Sequence, residues 1–532
     1  MTSTIQILVV LLAVIAAVAV AATRLRVPPA ILLVLTGVAM ALVPGLPTVE
    51  LAPEFVLLIV LPPLIYSTAV AMSWREFRFN LRPISLLAVG CVLFTTVAVA
   101  AASRFLLGFP WAVGFALGAI VSPPDPVAAL SIAHRLHMPR RLLVVLEGEG
   151  LANDATALVL YRFAVAAVSA GAFSFGEAAG TFAAIVCGEL MWGIGVGWVM
   201  LRLRRWARDT RVEILLSVLT PFVAYWPPEI VGGSGVLATV TTGLYISWNG
   251  LRLISAATRL QGIFFWDFLN YVIEGMVFLI TGLQARRLIA GIHGYSPSDL
   301  AVSAAIVIAV VVVTRFVWVF PATYLPRWLS PALRRRDPSP PWQWTFAIGY
   351  TGIRGIVSLA AALAIPLETA SGTPFPHRDL VIFLVFMVIV ATLVGQGLLL
   401  PAVVRGLGLV HAGRRERHAD RAEECAARRQ AVDVAIERLE ALAAERKLAD
   451  EIVRPLRTYY GEYLKEIEHR SDDVREQLIG QGIEIGTLLI QAERDLINGL
   501  YRAGKLKDEA RRRIERTLDL REAEFINRST GD

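Results

Sequence analysis

The chain of 532 residues is poor in charge and in cysteine: 18% of its residues are Asp, Glu, Lys or Arg, three are cysteine, and 56% are hydrophobic. A mean hydropathy of +0.60 with so little charge excludes a soluble globular protein, which could not bury that apolar fraction, and leaves a polytopic membrane protein. Cys91, Cys187 and Cys425 are far apart and lack the paired spacing of a zinc site or disulfide framework, so they read as packing residues. There is no His-Glu-x-x-His zinc motif and no Gly-x-Gly-Asp motif of an intramembrane aspartyl hydrolase, and Gly504-Lys505 is followed by Leu506 instead of the Ser or Thr of a phosphate loop. The first apolar run, about Ile5 to Ala22, has no basic leader or small-residue cleavage pattern and reads as a first span. The net charge of +7 does not indicate nucleic acid, because the basic residues fall between apolar segments and in the last quarter, where membrane orientation explains them.

At about 20 apolar residues per crossing, thirteen spans are expected, near 5–22, 28–43, 51–71, 83–106, 111–133, 140–168, 176–201, 211–228, 231–247, 261–284, 298–321, 342–366 and 378–405. The division inside 211–247 rests on Pro227 and Pro228. Loops on one side, from Arg24 and Arg26 to Arg334, Arg335 and Arg336, carry nineteen arginines; the other side offers four, Arg104, Arg286, Arg287 and Arg378. The positive-inside rule makes the first side cytoplasmic, with the N-terminus outside and the C-terminus inside. After Val403 the chain becomes charged and rich in Ala, Glu, Arg and Leu, with apolar residues at helical spacing in 431–442 and 483–500. The expected organisation is a transmembrane domain over 1–410 and a cytoplasmic helical domain over 411–532, all-α throughout.

Within the apolar stretch 140–168 stand Glu149, Asn153 and Asp154. A carboxylate at a span's centre costs roughly 2.5–3.5 kcal/mol, and such groups usually line an ion or proton path. The fifth span is interrupted by Ser122-Pro123-Pro124-Asp125-Pro126, whose prolines remove amide donors and break the helix. Broken helices at membrane depth are tolerated where they line a cavity, and their half-helix ends can face an ion. Asp154 is level with this break. Beside the neutral oxygen of Asn153 it suits a hard monovalent cation competing with a proton, since dehydration disfavours the charged carboxylate. Glu149 and Arg315 are level on their spans, so a buried ion pair between them is expected, architectural in role. A second interruption is expected at Gly349, Gly352 and Gly355, seven spans after the first, as in an inverted repeat. Glu274 is expected to pair with an arginine such as Arg354, whereas Asp267 and Glu189 have no partner legible in the sequence.

These residues resemble the monovalent cation/proton antiporters of the sodium/proton exchanger type, NhaP- and NHE-like, especially the bacterial members. The resemblance covers roughly residues 5 to 405 and rests on Leu61-Pro62-Pro63, Ser122 to Pro126, Glu149 to Asp154, Ile273-Glu274-Gly275, Arg315 and Gly352-Ile353-Arg354-Gly355. It implies a homodimer of thirteen-helix protomers in the bacterial plasma membrane, each with a core domain holding two crossed, interrupted helices. It further implies Asp154 as the shared cation and proton carboxylate, Asn153 as its neighbour, and Glu149 with Arg315 as a structural pair. Asp125 and Ser122 join the candidate ion ligands, and no cofactor is implied beyond the transported Na+, K+ or Li+ and H+. Relatives of this type often carry Thr at the position of Pro124, Ser at that of Gly150 and an acid or amide at that of Ser67; Ser122 and Thr156 could substitute, and the choice among the three cations stays open. The rival reading is a cation channel or an ion-sensing membrane protein regulated by its tail, but a ring of repeated pore ligands is not visible.

Overall fold

In the computed structural model, residues 2–44, 51–170, 175–250, 253–292, 294–369, 372–469 and 473–530 are described. The chain is all-helical among these residues and divides into two compact units, Met1–Arg414 and Arg415–Asp532.

The first unit opens with α1 (Thr2–Leu25) and the short α2 (Pro29–Ala41), followed by α3 (Pro53–Ala71) and α4 (Leu81–Leu106). One turn of α3, Val56–Val60, and one of α4, Leu86–Cys91, are wound as π-helix. Next come two half-helices, α5 (Trp111–Val121) and α6 (Pro126–Arg135), and the long α7 (Arg140–Ala170) and α8 (Phe175–Ala207). The helices α9 (Thr210–Ile230), α10 (Val236–Gly250), α11 (Ala256–Leu283) and α12 (Pro297–Leu329) follow. A second pair of half-helices, α13 (Trp342–Tyr350) and α14 (Ile356–Leu363), precedes α15 (Arg378–Gly406), which carries a π-turn at Ala391–Gln396.

Nine helical segments among the described residues are long and apolar enough to cross a membrane. Their outer faces are apolar too: Phe264 and Trp328 are each 75% exposed, which suits a lipid-facing surface and not a water-facing one. The core lies around α5, α14 and α15, whose Leu117, Leu359 and Leu384 are fully buried.

The boundary between α9 and α10 differs from the sequence expectation. Pro221, Pro227 and Pro228 all sit inside α9, the last two in its final turn. The stop comes at 231–235, where Gly232 and Gly235 take φ of +91° and +65°, a left-handed backbone that only glycine adopts cheaply. Each of Pro227 and Pro228 removes a hydrogen bond to the preceding turn, and Trp192 Nε1 donates to the Val223 carbonyl that Pro227 leaves without its donor, at 3.2 Å; the chain turns where glycine lets it.

The second unit holds most of α16 (Leu409–Arg446), then α17 (Asp450–His469), α18 (Asp473–Arg502) and α19 (Asp508–Thr530). Among the described residues its buried apolar side chains are Val432, Val453, Ile490 and Leu518, and ion pairs tie neighbouring helices, Arg457 to Glu440 at 2.7 Å and Arg494 to Asp519 at 2.7 Å.

Candidate functional site

The two helix interruptions touch. Ser122 to Asp125 separate α5 from α6, and Thr351 to Gly355 separate α13 from α14. The amide of Asp125 donates to the carbonyl of Ile353 at 2.7 Å, so one break supplies a hydrogen-bond partner that the other lacks. Asp125 also caps α6, its Oδ1 accepting from the amide of Val127 at 2.9 Å. Pro126 at the first helical position needs no donor partner there. Gly355 opens α14 directly beside the Asp125 carboxylate, so close that a β-carbon at Gly355 would overlap it. The Asp125 carboxylate thus sits at the amide-bearing ends of two half-helices, where the helix dipoles favour negative charge.

The opposite polarity is met by Arg354. Arg354 is 1% exposed and makes no ion pair with a described residue; Nε donates to the carbonyl of Val121 at 2.9 Å, Nη2 to that of Ser122 at 3.5 Å, and Nη1 to that of Gly352. Its amide donates to Thr392 Oγ1 at 3.0 Å, in the π-turn of α15. Arg354 therefore satisfies the carbonyl end of α5 and of its own break. This corrects the expected pairing with Glu274: carbonyls stranded at the breaks take up the guanidinium, and no ion pair or hydrogen bond joins Glu274 to a described residue.

On α7, Asn153 is fully buried and its Nδ2 donates to the carbonyl of Pro124 at 2.7 Å. That bond fixes the amide's orientation, since only the nitrogen can donate to a carbonyl. Its Oδ1 is left buried with no hydrogen-bond partner among the described residues. The next residue, Asp154, likewise makes no hydrogen bond or ion pair with a described residue, and its charge interacts with that of Asp125. Asp125 in turn interacts electrostatically with Glu274. The contact between α7 and the first break is close, a β-carbon at Gly150 running into the ring of Pro126. The hydroxyl of Ser122 donates to Ala119 O at 3.1 Å, which leaves its lone pairs free to accept. Thr156 donates back along α7 to Ala152 O at 3.5 Å.

Glu149 and Arg315, each 1% exposed, form a two-pronged pair, Nη1 to Oε1 at 2.6 Å and Nη2 to Oε2 at 2.8 Å. Arg315 Nε donates to Ile348 O at 3.1 Å, so the pair ties α7, α12 and α13 together with its polar atoms matched. Ser67 lies elsewhere, exchanging hydrogen bonds with Asn270 of α11, Asn270 Nδ2 donating to Ser67 Oγ at 2.9 Å.

Glu189 finds its place in the structure. Its carboxylate, 3% exposed, accepts from the amides of Ser234 at 2.6 Å, Gly235 at 3.3 Å and Leu237 at 3.2 Å, and so caps α10 from α8. Asp267 is exposed on α11. Sequence reading does not flag Arg162, which pairs with Glu229 and donates to the carbonyls of Gly232 and Gly233, joining α7 to the turn after α9. The signal was a lone arginine inside an apolar run.

A model of the sodium/hydrogen exchanger transmembrane family matches residues 9–406. The chain is 36% identical over 540 residues to an uncharacterised Na(+)/H(+) exchanger of Mycobacterium tuberculosis, covering 98% of this chain and 96% of that one. It is 35% identical over 371 residues to a sodium, potassium, lithium and rubidium/H(+) antiporter of Bacillus subtilis, covering 66% of this chain and 54% of the other. Among solved structures it is similar to the sodium proton antiporter MjNhaP1 of Methanocaldococcus jannaschii, with a TM-score of 0.63 and 18% identity over 77% of this chain and 98% of that one.

Proposed function

Because the chain belongs to the sodium/hydrogen exchanger family, and is thus a secondary transporter and not an enzyme, we propose that it exchanges Na+, with K+ and Li+ as further candidate cargo, for H+ through Asp154. It is a multi-pass plasma-membrane protein whose family transports monovalent cations and protons. The observation that carries the assignment to Asp154 is a pair of unmatched oxygens on adjacent residues: the Asp154 carboxylate and the buried Asn153 Oδ1, next to the touching breaks. Asp125 has helix ends to balance it and Glu149 has Arg315. Asp154 has no such compensation among the described residues, so its charge is best met by a cargo ion, with Asn153 Oδ1 as the second ligand and Ser122 and Asp125 within the same break.

A single shared carboxylate takes either one cation or one proton, and both occupied states carry the same net charge, so the exchange is electroneutral. The empty carboxylate carries an uncompensated charge that is costly to move through an apolar barrier, which couples the two fluxes. Alternating access moves the core holding the breaks against a dimer scaffold. Residues 1–410 form this exchanger domain, with thirteen crossings, inverted repeats and the N-terminus outside; residues 411–532 form a cytoplasmic helical domain, a candidate sensor.

The test uses everted vesicles with an internal acid load, adding Na+, K+ or Li+ in turn and following internal pH for wild type and Asp154→Asn. Cation-driven alkalinisation lost in the variant supports antiport through Asp154 and ranks the ions. No alkalinisation by any ion over a broad pH range, in folded protein, sinks the exchanger reading in favour of a channel or sensor.

A further inference from the structure

Three arginines from distant parts of the chain surround one cavity of about 130 Å³ on the arginine-rich face. Arg26 lies in the link between α1 and α2, Arg135 in the last turn of α6, and Arg405 in the last turn of α15. Among the described residues no carboxylate lines the cavity, and the rings of Pro29 and Pro401 are part of its lining. None of the three guanidiniums has a hydrogen bond or an ion pair with a described residue. Elsewhere on this face arginines find acids: Arg82, Arg141 and Arg327 share Asp337, and Arg140 holds Glu76. Arg26 is also held at a φ of +58°, an uncommon backbone state for a residue with a β-carbon.

Arginines at two helix C-termini are individually unremarkable, since each favours the dipole of its own helix. Their convergence with Arg26 on a cavity free of acid is what dipoles do not explain. Three like charges lining one cavity with no carboxylate among its described lining residues repel one another, and an anion seated between them relieves that repulsion. Guanidinium forks match the oxygens of a phosphoryl group, and basic pockets between membrane helices on the cytoplasmic side suit anionic headgroups.

We propose that this cavity binds a phosphoryl group, presented by an anionic phospholipid or by free phosphate. Because α6 and α15 both end here with their carbonyls, the arginines supply all of the attraction. Neutralising one should weaken binding about fivefold and neutralising all three on the order of a hundredfold. The site lies on α6, whose other end carries Asp125, so its occupant bears on the half-helix that meets the second break.

The experiment uses the purified full chain in neutral detergent and native mass spectrometry to count retained phosphatidylglycerol, with phosphatidylcholine as the uncharged-headgroup comparison. Calorimetry with inorganic phosphate forms a second arm. The variant is Arg26→Gln/Arg135→Gln/Arg405→Gln; Arg334→Gln/Arg335→Gln/Arg336→Gln removes the same charge from the same face. Retention of phosphatidylglycerol by wild type and the comparison variant, lost in the first variant, supports a lipid occupant. Phosphate binding with the same pattern and no lipid retention supports the free anion. Equal binding by all three proteins, equal loss in both variants, or no binding of either ligand to wild type overturns the proposal. Should the triple variant fail to give monodisperse protein, Arg135→Gln alone, with a fivefold loss expected, decides between the same outcomes.

Discussion

Asp125 and Ile353 are joined by a 2.7 Å hydrogen bond from the amide of one to the carbonyl of the other, and this bond locks the two helix interruptions together. A break in a helix strands donors and acceptors that water would normally satisfy; here each break uses the other. The same closeness makes Gly355 indispensable for a steric reason, because a β-carbon there would overlap the Asp125 carboxylate. Gly355→Ala should therefore lower stability by about 1–3 kcal/mol and abolish exchange, the cost range of forcing atoms into a packed interior. Thermal unfolding in detergent and the vesicle assay would show it; a variant as stable and active as wild type would refute the crossing geometry.

Glu149 and Arg315 are too deeply buried for either to be removed alone. Glu149→Gln should cost about 3–5 kcal/mol, since it leaves a guanidinium uncompensated in the interior. Pairing Glu149→Leu with Arg315→Met should restore much of that loss, because two apolar side chains need no partners. A thermal-unfolding cycle of the two singles and the double measures the coupling, and strictly additive losses would contradict the pair.

For Glu189, the cap on α10 predicts a stability effect that is separate from transport. Glu189→Gln replaces one accepting oxygen by an NH2 that faces backbone donors at Ser234 to Leu237, at a cost of about 1–3 kcal/mol. Unchanged thermal stability with lost exchange would instead make Glu189 part of the ion path.

Asp337, between the short helix Pro331–Arg336 and α13, accepts from Arg82 at 2.7 Å, Arg141 at 2.8 Å and Arg327 at 2.8 Å. Partial burial works to raise its pKa, but the hydrogen bond from Arg141 and the charges of Arg141, Arg327 and Arg82 outweigh it and hold the carboxyl below its ordinary value. A carboxyl depressed in the folded state contributes stability that is present above its ordinary value, about 3.9, and is lost as pH falls through the lower folded value. The stability difference between wild type and Asp337→Asn should accordingly be constant from pH 7 to 5 and shrink below about pH 4. A difference growing toward acid pH would reverse the sign and exclude the clamp.

Much of the site was legible because membranes punish the exceptions. Glu149 and Arg315 could be matched by depth alone, since an unpaired charge in a span is so costly that a level partner is the natural expectation. Pro123, Pro124 and Pro126 announced the first break through their missing amides, and the structure places it there, with Asp125 as the cap. The prolines of α9 misled for the complementary reason: a helix passes through a proline where the stranded carbonyl finds another donor, as that of Val223 does in Trp192 Nε1, and Gly232 with Gly235 made the turn.

By itself the sequence determined the class of the protein, its all-helical build and several of its buried charges, Glu149, Glu189, Arg315 and Arg354 among them, because hydropathy and the cost of burying charge act locally along the chain. Which groups meet was decided only by the tertiary structure. Arg354 could have answered Glu274, but the carbonyls stranded at Val121, Ser122 and Gly352 claim it. Glu189 became a helix cap only when α8 was laid against the start of α10. The same packing left Asp154 and the Asn153 oxygen without partners among the described residues, since hydrogen-bond matching between segments far apart in sequence depends on a few ångströms of placement that no local pattern encodes.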